Sequence, residues 1–137
     1  MGVKDIGIAL AKRLKTINNL RVYSPEKLPK TVNQFPVALI LTDDIPYHDT
    51  HGGASYYTIN YRVIVAVANI DQPEKLSQLV DYVEPEGEKS VVAAIEGDGT
   101  LYGEASDCWV LSNSGMGSTV WGGKALLSTE FTVRVLS

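Results

Sequence analysis

The chain has 137 residues, 45% of them hydrophobic and 20% charged, with a net charge of −4. That length suits one globular domain, and the composition excludes both an acidic disordered tail and a membrane-embedded chain. Its apolar runs, such as Val63–Ala68, fall far short of the roughly 20 residues a spanning helix needs.

Lys12 and Arg13 interrupt Ile6–Ala11 too early for a secretory leader, so none is expected. The one cysteine, Cys108, has no partner for an internal disulfide, which fits a reducing compartment. Charge is unevenly spread. Residues 1–30 hold seven Lys/Arg against Asp5 and Glu26, whereas residues 69–107 hold ten acids against Lys75 and Lys89. Such a field disfavours general nucleic-acid binding and permits head-to-tail association of copies, with the basic helix and the acidic segment expected on different faces.

In chain order, Ile6, Ala9, Leu10, Leu14 and Ile17 fall at helical spacing and predict an amphipathic helix over 3–17, with Lys12, Arg13 and Lys15 outside. Asn18 and Asn19 end it. Leu20–Tyr23 is a short strand, a polar Pro-containing stretch follows to Gln34, and Pro36 introduces a strand at Val37–Thr42. Beyond a polar loop at 43–53, Tyr57–Val67 alternates, placing Ile59, Tyr61, Val63 and Val65 on one face and Thr58, Asn60 and Arg62 on the other.

Asp71 and Glu74 have capping-box spacing before a helix whose inner stripe is Leu76, Leu79, Val80 and Val83. Ser90 caps a short helix ending at Glu96, and Gly97, Gly99 and Gly103 mark turns. Ala105–Ser112 and Leu126–Leu136 are strands joined by a glycine-rich loop, 112–124, and Leu127, Thr129, Phe131, Val133 and Val135 share one face of the last. The fold class expected is α+β: a mainly antiparallel sheet of about four to five strands, with an N-terminal helix and two central helices packed on one face.

Catalytic chemistry finds little support. Ser118–Ala125 approaches a phosphate-binding loop through Gly123-Lys124, but Ser118 replaces its first glycine, Ala125 its metal-binding hydroxyl, and a strand follows instead of a helix. His48, Asp49 and His51, close to Asp43 and Asp44, carry metal-ligand chemistry, yet both histidines lie in one Gly-flanked loop with nothing regular to fix their geometry. With Tyr47 beside them, a contact loop is the preferred reading. Ser114 lacks a nucleophile-elbow setting, and Cys108 has the acidic neighbour Asp107, which raises a thiol pKa, so a packed structural cysteine is expected. Glu84, Glu86 and Glu88 alternate with Pro85 and Gly87 as a solvated turn. No catalytic residue, metal or cofactor is expected.

Several phrases carry a family likeness: Ile6-Gly-Ile-Ala-Leu-Ala-Lys-Arg-Leu14 running into Leu20-Arg-Val-Tyr23, Pro36-Val-Ala-Leu-Ile40, and Tyr57-Thr-Ile-Asn-Tyr-Arg-Val-Ile-Val65. Lys75-Leu-Ser-Gln-Leu-Val-Asp-Tyr-Val83, Gly87-Glu-Lys-Ser-Val-Val-Ala-Ala-Ile95 with Asp98 and Leu101, and the strand Ala125–Val135 continue it. Through these, the chain resembles the tail terminator proteins of long-tailed bacteriophages, also called minor tail or head-tail completion proteins, particularly of phages infecting actinobacteria.

The resemblance implies a structural virion protein, assembled in the host cytoplasm and located in the tail or neck. Its copies would form a ring, usually of six, that stops growth of the tail tube and offers the filled head a docking surface. The partners implied are copies of itself, the tail tube protein and the head-tail connector or stopper proteins, with DNA passing through but not read by sequence, and no membrane. The contact residues expected are Lys12, Arg13 and Lys15 on the helix, Tyr47, His48 and His51 in the 43–53 loop, and Met116 and Trp121 in the 112–124 loop. A stopper or tail tube subunit, or a small metal- or ligand-binding domain, are the alternative readings.

Overall fold

A computed structural model describes residues 2–46 and 58–137. The chain forms helix α1 (Val3–Leu14), strands β1 (Arg21–Tyr23), β2 (Val37–Thr42) and β3 (Thr58–Asn69), then a 3-10 turn at Pro73–Lys75. Helices α2 (Leu76–Val83) and α3 (Val91–Glu96) precede strands β4 (Asp107–Trp121) and β5 (Lys124–Leu136). The fold is α+β, built on a five-stranded sheet in the order β1-β2-β3-β5-β4. Every neighbouring pair is antiparallel except β1 with β2, which is parallel.

The alternation in β3 and β5 decides what the helices cover. Ile59, Tyr61, Val63, Val65 and Val67 of β3, with Leu127, Phe131, Val133 and Val135 of β5, meet Ile6, Leu10 and Leu14 of α1, Leu79 of α2 and Ile95 of α3 in one core. The α1 helix stops at Leu14, three residues short of the expected end. Thr16 and Ile17 continue as a tighter turn in which the Thr16 hydroxyl and amide both donate to the Arg13 carbonyl, and Ile17 stays buried.

A second apolar cluster fills the opposite face of the sheet. Val37, Leu39, Ile64, Ala66 and Leu126 point there, and Leu28, Val32, Phe35 and Trp121 cover them. The polar stretch before Pro36 is thus a covering segment. Its few apolar residues follow neither strand nor helix period, so periodicity gives no sign of the burial.

The capping box at Asp71 and Glu74 does not form. Pro73 opens a 3-10 turn whose N-cap position falls on Gln72, and neither that turn nor α2 has a side-chain cap. The α2 helix is also rotated from its expected setting: Leu79 and Tyr82 are buried, while Leu76 and Val80 remain 41% and 38% exposed. The Ser90 cap does form, with the Ala93 amide donating to Ser90 Oγ at 3.0 Å.

Residues 112–124 are not a loop. The β4 strand runs unbroken to Trp121, and only Gly122 and Gly123 turn the chain into β5, both with positive φ as a two-residue hairpin turn requires. The glycine at 115, φ +85°, sits where the register of β4 slips between Asn113 and Met116, a bulge and not a break.

Candidate interaction surfaces

The helical basic residues divide between fold and surface. Arg13 Nε donates to the Ala94 carbonyl at 2.8 Å, where the C-terminal end of α3 offers partial negative charge. The Lys12 and Arg13 cations lie 5.1 and 5.6 Å from the centre of the Tyr102 ring. The basic helix and the acidic segment therefore meet inside one chain at this point, contrary to the expectation of separate faces. Lys15 remains exposed.

Around that contact the turn 97–104 is held by Asp98. Its carboxylate accepts from the Thr100 hydroxyl at 2.7 Å and the Tyr102 amide at 2.9 Å, bonds that keep it below the usual carboxylate range. This turn lies beside the start of β4, the outer strand at one edge of the sheet, and two acids close that part of the edge. Asp107 Oδ1 accepts from the Cys108 amide at 2.9 Å, and Glu96 Oε2 accepts from the Val110 amide at 3.0 Å.

Among the described residues, no acid covers the rest of the edge in this way. From Cys108 to Gly123 the sequence contains no charged residue. Leu111, Met116 and Val120 are 43%, 45% and 70% exposed. Isolated sheet edges usually carry lysine, proline or inward charge to block stray pairing, and here two register slips, at Val110/Ser112 and Asn113/Met116, are what shape the strand. The second slip is stitched by side chains: Asn113 Nδ2 donates to Thr129 Oγ1 at 2.7 Å, and the Thr129 hydroxyl donates to the Gly115 carbonyl at 2.9 Å. A hollow of about 320 Å³ lies beside this slip, lined by residues 114–119 of β4 and 128–130 of β5.

Of the two hairpin residues expected at a contact, Met116 is on this exposed strand and Trp121 is not available. Trp121 Nε1 donates to the Pro29 carbonyl at 2.9 Å and its ring joins the second core. Gly122 packs so closely on the Lys30 carbonyl and Thr31 that a side chain there has no room. Lys124, the lysine of the phosphate-loop-like stretch, donates to Asn33 Oδ1 at 2.7 Å.

Tyr47, His48 and His51 lie outside the described residues, as does Asp49. The chain leading to them is pinned to β3: the Asp43 amide donates to the Asn60 carbonyl at 2.8 Å, and Asn60 Nδ2 donates to Asp44 Oδ1 at 2.9 Å. Among the described residues no three His, Cys, Asp or Glu side chains are grouped to hold a metal ion. Nor is any described helix long and apolar enough to cross a membrane.

The Cys108 thiol is 3% exposed and donates to the Ile95 carbonyl at a sulfur distance of 3.9 Å. Burial first, and then Asp107, Asp98 and Glu96, push its pKa up to about 12, so it holds its proton and is a poor nucleophile. Sequence reasoning gave both the upward direction, through Asp107, and a packed structural cysteine, and burial is the larger cause of the shift. What it missed altogether was the edge itself, although the uncharged run from Cys108 to Gly123 was a visible signal of it.

No protein-family model matches the chain, and no curated protein matches it.

Proposed function

We propose that the chain is a ring-forming assembly protein that caps a phage tail tube, ends its elongation and presents the surface to which the head connector attaches. The observation that carries this reading is the uncharged, exposed second half of the β4 edge strand. A sheet edge left open over Leu111–Val120 is a template for association, and its two bulges restrict which partner strand can follow it.

Other features agree with the reading. The resemblance in the core and turn phrases runs along nearly the whole chain. The acidic balance suits a ring through which DNA moves without being held by a basic lumen. Rings form when each subunit presents two different complementary surfaces and the rotation between copies closes.

Electron microscopy of the purified chain, with tail tubes and separately with head-side portal rings, tests the proposal. Rings seated on tube ends are the expected result. Binding to portal rings in the absence of tails would assign the chain to a stopper, and binding to neither would remove it from the connector. Metal analysis checks the remaining alternative: one equivalent per chain, lost on His51→Ala, would favour a metal-binding domain.

A further inference from the structure

We propose that the exposed β4 edge of one copy docks against the β1 edge of the next, so that copies join head to tail through opposite edges of their sheets; this rests on the ring-forming reading above. In the strand order β1-β2-β3-β5-β4, these two strands are the outer ones. They also run in opposite directions, because β1 is parallel to β2 and each later step across the sheet reverses. Two copies placed edge to edge in the same orientation therefore bring β4 and β1 together antiparallel, the pairing with the more direct hydrogen bonds.

Charge selects the same partner. The β4 side carries Glu96, Asp98, Glu104 and Asp107, and residues 96–123 contain no basic residue. The β1 side carries exposed Arg21 and Lys27, with Glu26 the acid among them, whereas Lys30 lies beside Gly122 at the hairpin end of β4. Pairing β1 with β1 opposes Arg21 and Lys27 of one copy to the same residues of the other, whereas β4 with β1 opposes them to an uncharged strand with acids at its start. The backbone of β1 also has a pair of groups facing away from β2. Arg21 donates its amide to the Pro36 carbonyl beside β2, so the alternation of a strand turns the amide and carbonyl of Val22 outward.

Site-directed cross-linking tests the geometry. Arg21 shares a row with Val37, Ala66, Ser128 and Gly117 across the sheet, which places Ser118 near the same level on the far edge. A chain carrying both Arg21→Cys and Ser118→Cys, treated with a short thiol-to-thiol cross-linker, should give a ladder of covalent oligomers ending at the ring. Each single variant should give none, and buried Cys108 provides a silent background in all three. Arg21→Glu with Lys27→Glu should weaken association, and adding Glu104→Lys should recover part of it. Self-cross-linking of Ser118→Cys alone, or rings without the Arg21–Ser118 ladder, would overturn this inference and leave the ring reading standing. A chain that forms no rings and caps no tubes would overturn both.

Discussion

Arg13 ties α1 to α3 through one charged hydrogen bond to the Ala94 carbonyl, with Tyr102 beside the guanidinium. Hydrogen bonds from charged groups contribute about 1.5–3 kcal/mol when well enclosed, and Arg13 is only half-buried, so Arg13→Ala should cost about 1–2 kcal/mol in urea denaturation. Lys15→Ala, at an exposed position, should change stability by less than about 0.5 kcal/mol. Cys108 makes a prediction in pH. Its folded pKa is raised from the ordinary 9.0 to about 12, so the folded state keeps a proton that the unfolded chain gives up first. That stabilisation is complete below pH 9 and is lost as pH rises toward 12. Stability should fall across this window in the native chain and fall less in Cys108→Ala. A thiol reagent at pH 8 should label Cys108 only after unfolding.

At the level of elements, Phe131 is fully buried between sheet and helices. Phe131→Ala should cost about 3–5 kcal/mol, enough to leave much of the chain unfolded or insoluble, as measured by thermal unfolding. Val120, 70% exposed on the hairpin, should behave oppositely: Val120→Lys should leave stability within about 0.5 kcal/mol while blocking association in light scattering. Strands β3 and β5 and helix α1 were legible in the sequence through their periods of two and 3.6, β2 through the compact apolar run that follows Pro36, and α3 through its Ser90 cap. The long hairpin was not, because Gly115 and Gly117 have the composition of a loop while acting within a bulged strand. The second core was hidden for another reason. Trp121 reaches the Pro29 carbonyl across 92 positions, a contact that no local window contains. The α2 stripe was seen in part: Leu79 turned inward as expected, but Tyr82 took the second inner place and left Val80 outside.

On the scale of the whole molecule, the sheet joins a basic edge at β1 to an acidic and then uncharged edge at β4, with both broad faces largely occupied by the chain's own apolar residues. The charge contrast noticed along the sequence thus lies partly across opposite edges of the fold. Its helical portion closes on itself through Arg13, Lys12 and Tyr102. Salt should therefore weaken association of copies without unfolding them, since exposed charges are screened beyond about 3 Å at ~1 M salt and about 30 Å at ~0.01 M. The proposed capping role is tested most directly by tube length. Tail tube subunits polymerised with increasing amounts of the chain should stop growing once each tube end carries one ring, and Val120→Lys should restore unchecked growth. A length distribution that stays the same at every concentration of the native chain would contradict the account.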